Sequence, residues 1–291
     1  MDIDEDPWLA RRQLRGILRE LREARGLIQQ EAAAALDWSL SKVVRIEAGT
    51  VGVSTTDLLA LLRLYNVDDQ TETDRLTELA RAARRRPWYS ALQQVLSPAY
   101  ERYLSAEGAA SAIIAFHPLT IPGLLQTEEY ARAVLKASDA SGIDDRLKLR
   151  LQRQERLRRQ NRPVLHYVLD EAALHRVVGG KAVMREQLMK LREAMTQPGI
   201  TVQIIPFAAG AHASMTGDFT VLEFSGEVDD LLYIEGESGS TTERDNRAAV
   251  TGYRERFGRL SNDAMAADQA LRLIDGLIAD LDDPARTDEP R

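Results

Sequence analysis

The chain has 291 residues, with 38 Lys and Arg against 45 Asp and Glu, a formal net charge of −7, and no cysteine. Domains commonly run to about 100–200 residues, so this length fits two domains or one large one. The missing thiols exclude a disulfide framework, Cys-ligated zinc and a thiol nucleophile. No apolar run approaches the roughly 20 residues that span a bilayer. The opening MDIDEDPW is acidic and lacks the basic and apolar regions of a secretory signal, so a cytoplasmic protein with no membrane association is expected. An acidic total argues weakly against a protein coated all round for nucleic acid, but it says nothing about a local basic face.

From Trp8 to Arg86 the pattern is helical, in five short segments. Leu14, Ile17, Leu18 and Leu21 recur at helical spacing, with Arg11, Arg12, Arg15, Arg19, Arg22 and Arg25 around the remaining face, read as solvated with some phosphate contact. Gly26 stops that helix. A second helix, Gln29 to Leu36, carries four consecutive alanines, and Asp37 and Trp38 form a tight connection. Ser39 is the expected N-cap of a third helix ending before Gly49. Ser54 or Thr55 caps a fourth, and a fifth runs from Thr71 to Arg86, before Pro87. These helices form an all-α domain over residues 1–87.

The stretch from Trp88 to Arg162 also reads as helical, interrupted by Pro98, Pro118 and Pro122. Strand signals come later, at Val164–Leu169, Thr201–Pro206, Phe219–Phe224 and Leu231–Glu235. A helix over Val183–Met195 separates the first two. Helices over Glu243–Leu260 and Ala264–Leu281 close the pattern, the last with Leu271, Ile274, Leu277, Ile278 and Leu281 on one stripe. A C-terminal domain over 88–282, with a small sheet and several helices, and a disordered tail over 283–291 complete an α+β chain.

The segment GLIQQEAAAALDWSLSKVVRIEAG, residues 26–49, is where chemistry concentrates. Two short helices joined by a tight turn present the second as a ridge that fits the roughly 12 Å major groove. Leu40, Ser41 and Lys42, early in that helix, point toward bases and phosphates, and Arg45, one turn on from Ser41, offers a bidentate fork to guanine. Val43 and Ile46 face the core. Gln29, at the start of the preceding helix, is placed to hold a phosphate. The expected DNA-binding set is Gln29, Gln30, Ser39, Leu40, Ser41, Lys42 and Arg45.

This segment resembles the helix-turn-helix of the Xre or lambda-repressor-like family, through Gly26, Leu27, Gln29, Ala33, Ser39, Ser41, Val43, Ile46, Glu47 and Gly49. The resemblance implies a five-helix DNA-binding domain in which an Arg of the first helix pairs with the Glu ending the recognition helix, here Arg22 and Glu47. Two positions depart from the pattern. Ile28 replaces the hydroxyl cap before Gln29, a loss of about 1 kcal/mol, and Asp37 replaces the turn glycine, which it can mimic in the left-handed conformation. The segments PLTIPGLLQTEEYARAV, VLDEAALHRVVGG and VQIIPFAAGAHASMTGDFTVLEF resemble a C-terminal domain of unknown function attached to Xre-type regulators of actinomycetes. Genes for such regulators often lie beside one for a small acidic protein, which the resemblance makes a candidate partner.

Other chemistry is sparse. The arginine-dense stretch Arg146–Arg162 reads mainly as an answer to acidic residues elsewhere. His117, His166, His175 and His212 show no metal-ligand spacing, GxSxG is absent, and no phosphate loop occurs, so neither an enzyme nor a cofactor is expected. Trp88, Tyr89, Tyr100, Tyr103, Phe116 and Tyr130 cluster near the domain boundary. They read as interdomain core, or, for Trp88, Tyr89, Tyr100 and Tyr103, as a ligand or coupling region. A single helix-turn-helix reads only a few base pairs, so a homodimer on an inverted-repeat operator is expected; the Leu271–Leu281 stripe would serve a partner helix or be buried in its own subunit. The sequence thus reads as a DNA-binding transcriptional regulator controlled through its C-terminal domain. Its rivals are an antitoxin-like interaction protein and a small-molecule sensor.

Overall fold

Local backbone chemistry sets the first part of the chain. A computed structural model describes residues 7–138, 141–156, 162–225, 229–235, 241–244 and 247–283. The expected disordered tail lies outside these residues from 284 onward. Two compact units emerge, Met1–Ala91 with Leu104–Ala109, and Leu92–Tyr103 with Ala110–Arg291.

The first unit begins with α1 (Pro7–Ala24), α2 (Gln29–Ala35), α3 (Leu40–Glu47), α4 (Thr55–Leu64) and α5 (Gln70–Ala82). The first four helices end the same way, with a left-handed residue at Gly26, Asp37, Gly49 and Asn66 (φ 67, 55, 68 and 58°). At each end two backbone N–H groups return to the last turn: Leu27 to Arg22 O and Gly26 to Glu23 O, Trp38 to Ala33 O and Asp37 to Ala34 O. Thr50 to Arg45 O with Gly49 to Ile46 O, and Val67 to Leu62 O with Asn66 to Arg63 O, repeat the pattern. These are Schellman closures, which satisfy carbonyls that a helix end would otherwise strand. Ser39, Ser54 and Asp69 supply the N-caps of α3, α4 and α5. Where α2 lacks a hydroxyl cap, Glu31 accepts the Ile28 N–H at 2.9 Å, half of a capping box. The helices close on Leu14, Leu18, Ala32, Ile46, Leu58, Leu62 and Leu76, each buried leucine or isoleucine contributing roughly 1.5–3 kcal/mol.

Helix α6 (Pro98–Glu107) starts in the second unit, and its residues from Leu104 on belong to the first. The second unit then runs β1 (Ala112–His117), α7 (Glu128–Ala137), α8 (Ile143–Arg156), β2 (Val164–Asp170), α9 (Ala172–His175), α10 (Lys181–Ala194) and β3 (Ile200–Ile205). It finishes with β4 (Phe219–Glu223), β5 (Leu231–Glu235), β6 (Thr241–Arg244), α11 (Arg247–Asp263) and α12 (Ala267–Asp282). The strands make one sheet in the order β3-β2-β1-β4-β5-β6. β1, β2 and β3 are parallel, and β4, β5 and β6 continue antiparallel from the other edge of β1. Helix α11 covers one face, packing Phe257 and Leu260 on Phe116, Val168, Phe219, Val221 and Leu232. The alternate residues Ile113, Ala115, Leu165, Tyr167, Leu169 and Leu222 are buried on the opposite face.

Two expectations change, and one pair of alternatives narrows. Residues 112–117, read as part of a helical stretch, form β1, because AIIAFH is a central strand paired on both sides and apolar throughout; such a run has no period to separate it from a buried helix. Residues 241–244 pair as β6, so α11 starts at Arg247 instead of Glu243. The α12 stripe packs on α10 of its own unit, with Ile274 buried and Arg192–Asp275 and Arg185–Asp282 contacts at 2.5 and 2.6 Å alongside. Packing within its own subunit is the second of the two readings given for the stripe, and Leu271, Leu277, Ile278 and Leu281 remain partly exposed.

His117 ends β1 and keeps only a small accessible edge, turned into an interior cavity. Burial, and secondarily the charge of Arg153, push its pKa down to about 4. The folded state therefore holds the neutral ring while an unfolded chain protonates near pH 6.5. This stability is fully present above pH 6.5 and is lost as pH falls toward 4, at most about 3 kcal/mol. In His117→Gln that component disappears, so the acid dependence of β1 amide hydrogen exchange between pH 6.5 and 4 is expected to flatten relative to wild type.

Candidate nucleic-acid interface

Helix α3 is amphipathic in a way that leaves little freedom. Val43 and Ile46 are 1% and 3% exposed, whereas Leu40 and Val44 on the other side are 46% and 39% exposed. Ser41 and Arg45 are exposed beside them. Two apolar residues on an outward helix face, next to a hydroxyl and a guanidinium, are groups of the kind that can contact thymine methyls, phosphates and guanine edges.

What aims this face is a buried ion pair. Arg22 Nε donates to Glu47 Oε1 at 2.6 Å and Nη2 to Glu47 Oε2 at 3.0 Å. Both side chains are under a tenth exposed. Arg22 Nη1 also donates to Leu27 O at 2.5 Å, and Gln29 Nε2 to Glu47 Oε2 at 2.8 Å. One carboxylate thus ties together α1, the start of α2 and the end of α3. Its hydrogen bonds raise the Arg22 pKa further, against the cost of burial. Burial, aided by Glu47, lifts the neighbouring Tyr65 phenol to about 12.

The sequence-derived set divides accordingly. Leu40, Ser41 and Arg45 stand on the outer face, Gln30 is exposed on α2, and Ser39 caps α3 by accepting the Lys42 N–H at 3.3 Å. The Gln29 amide is turned inward onto Glu47. Lys42 Nζ lies 2.6 Å from Asp57 Oδ1 and 3.7 Å from the centre of the Trp38 ring, so its charge is answered within the unit. Asp57 and Trp38 were not singled out in the sequence. Asp57 has no motif signal, and Trp38 reads there simply as part of the turn. The arginine face of α1 also has structural duties: Arg11 donates to Ala83 O at 3.0 Å and Arg15 to Ala48 O at 3.2 Å, the carbonyls that follow α5 and α3.

The aromatic set splits between the units. Trp88 and Tyr89 lie in the first, edge-to-face at 5.5 Å, with the Tyr89 hydroxyl bonded to Ser105 Oγ. Tyr100 and Tyr103 lie in the second, stacked at 5.8 Å. Phe116 and Tyr130 are fully buried. His166, His175 and His212 lie within hydrogen-bond distance of Gln203, Glu171 and Asp170 respectively. Among the described residues no group of three or more His, Asp or Glu is placed to hold a metal, and no helix is long and apolar enough to cross a membrane.

Removing one member of a buried, hydrogen-bonded ion pair leaves the other charge stranded, at a cost of about 3–5 kcal/mol, whereas apolar replacement of both is often nearly neutral. Glu47→Ala is expected to destabilise the first unit by that amount, and Arg22→Met with Glu47→Leu to recover most of it. All three tryptophans of the chain, Trp8, Trp38 and Trp88, lie in this unit, so urea unfolding followed by tryptophan fluorescence reads it selectively. A loss below 1 kcal/mol for Glu47→Ala would show that the pair does not hold the helices.

Comparison with known families bears on both units. A helix-turn-helix domain family matches residues 13–76, which run from within α1 to the middle of α5. A domain of unknown function, DUF5753, matches residues 100–276. No curated protein and no solved structure matches the chain. An outward helix held by a buried Arg–Glu pair therefore lies within a helix-turn-helix domain of DNA-binding type, and the chain belongs to the DUF5753 family.

Proposed function

We propose that the protein is a sequence-specific transcriptional regulator that inserts α3 into the DNA major groove and is controlled through its DUF5753 domain. The observation that carries this reading is the outer face of α3, where Leu40, Ser41, Val44 and Arg45 are exposed on a helix whose inner face is buried and whose end is clamped by Arg22. In this reading Arg45 meets a guanine edge through a bidentate contact, Ser41 and Leu40 flank it, and Lys42 exchanges Asp57 for a phosphate on docking. A head of this size reads few base pairs, so two copies bind half-sites about one helical turn apart, as a homodimer on an inverted repeat. No step of the reading is catalytic.

Repeated selection of duplexes from a randomised pool by the full chain is expected to enrich an inverted repeat. On the enriched site, Arg45→Ala weakens binding by about 1–3 kcal/mol, roughly 5- to 150-fold, and relaxes preference at one base pair per half-site. Failure to enrich any sequence, or unchanged affinity and preference in Arg45→Ala, would overturn the assignment of α3.

Asp57→Asn separates the two roles of Lys42. If Lys42 must leave Asp57 to meet a phosphate, removing that carboxylate tightens binding to specific and non-specific duplexes alike, with no change in base preference. Lys42→Ala is expected to do the reverse and to lower the salt slope by about one per half-site. Fluorescence anisotropy across a salt series measures both.

A further inference from the structure

In the first unit, the large apolar side chains that stay exposed among the described residues gather in one place. They are Ile28, Leu40 and Val44, at the start of α2 and on α3. Leu40 and Val44 stand one helical turn apart, so they make a single ridge about 6 Å long. Ser41 and Arg45, also exposed, repeat that spacing one position on. The outer face of α3 thus carries two parallel rows, one that hydrogen-bonds and one that does not.

The fold makes little use of the apolar row. Val43 and Ile46 already supply the inner face of α3. The core of the unit takes Leu36 and Trp38 before this helix and Val51 after it as its partly buried margin, and includes neither Leu40 nor Val44.

What fits such a row in a major groove is restricted. Leucine and valine neither donate nor accept. Set against the O6, N7 or amino group of a base, they would take water from that group and return no hydrogen bond. Among the four bases, the groove edge offers one apolar group, the C5-methyl of thymine. Cytosine methylated at C5 places the same group at the same carbon and keeps its own amino donor. A purely apolar partner would leave the adjoining guanidinium and hydroxyl unanswered, whereas a base edge answers both rows together. The domain family points to the same occupant.

We propose that the Leu40–Val44 ridge reads C5-methyl groups, so that each half-site carries thymine beside the guanine met by Arg45, and 5-methylcytosine substitutes for it there. The inference rests on the placement of α3 in the major groove. It makes cytosine methylation a modification that this surface gains from.

The test uses the full chain and the duplex enriched by selection, with deoxyuridine replacing thymine at one position at a time. That exchange removes the methyl and keeps every hydrogen-bonding group. Beside the Arg45 guanine, uracil is expected to weaken binding about fourfold, the worth of one buried methyl-sized group. A C·G pair at that position should bind at least as weakly, and methylating its cytosine should restore about fourfold. In Leu40→Ala or Val44→Ala, changes at exposed positions with melting temperature unchanged, thymine and uracil should bind alike at the matching position. Arg45→Ala, in the other row, should weaken binding and keep the uracil penalty. A half-site without thymine there, uracil and thymine bound alike at every position, 5-methylcytosine no better than cytosine, or a penalty that survives in both alanine variants would overturn the methyl reading. The effect of Arg45→Ala tells whether the groove assignment falls with it. If the alanine variants instead lower self-association of the free chain while wild type binds thymine and uracil alike, the ridge is an interface between copies.

Discussion

The Arg22–Glu47 pair is the constraint on which the outer face of α3 depends. A helix of eight residues, Leu40–Glu47, has too few contacts of its own to hold an angle. Its inner face supplies only Val43 and Ile46 as fully buried anchors. A bidentate bond at its last residue adds direction to that packing, because a guanidinium fork accepts a carboxylate in one plane. A lysine at position 22 would keep the charge and lose the plane. The same guanidinium donates to Leu27 O in the link between α1 and α2, so the approach to the turn and the helix after it share one reference point. Buried ion pairs add little net stability over apolar side chains of the same shape. What this one contributes is orientation.

Charge around α3 is organised in the same spirit. The chain is acidic overall, and the arginines that make α1 look like a nucleic-acid surface are partly committed to carbonyls that follow α3 and α5. Lys42 is held between Trp38 and Asp57. Lys42 and part of the α1 arginine face are thus answered within the unit, and on the proposed reading this lessens the sequence-independent attraction between a basic surface and polyphosphate. On the same proposed reading, discrimination falls to the shape and hydrogen bonding of Leu40, Ser41, Val44 and Arg45. Small local charge favours selectivity over raw affinity, since base contacts specify and phosphate contacts only position.

Much of the first unit was legible because its signals are local. Gly26, Gly49, Ser39 and Ser54 mark helix ends through φ and capping chemistry that a single residue decides, and Asp37 at φ 55° does the work of the glycine it replaces. The second unit is written in longer-range terms. β1 is apolar throughout because both faces are covered, and that erases the period by which a strand announces itself. The α12 stripe has the pattern of a partner-seeking helix, yet its complement, α10, lies some eighty residues upstream. Tyr100 and Tyr103 were visible as aromatics of interest, but Trp88 and Tyr89, their neighbours in sequence, belong elsewhere. Their true companion, Tyr233, arrives through the sheet, and no local spacing connects residues so far apart.

The sheet topology explains why a cavity exists where it does. β1 is central, with parallel β2 on one side and antiparallel β4 on the other. The two halves leave in different directions: the parallel half is built by helical crossovers and the antiparallel half by returning strands. Crevices in open α/β sheets form where such paths diverge, outside the carboxyl ends of the parallel strands. Here the carboxyl end of β1, at His117, lies beside the start of β4, because Phe116 pairs with Phe219. The chain leaves β1 through Pro118 and folds over as the turn bearing Gly123. The first crossover then brings α8 and its arginines across the opening. On the sheet itself, Tyr167, Ala115, Thr220 and Tyr233 fall in one row, and all four are buried. The cavity thus follows from strand order and from the crossover that carries α8 over the end of β1.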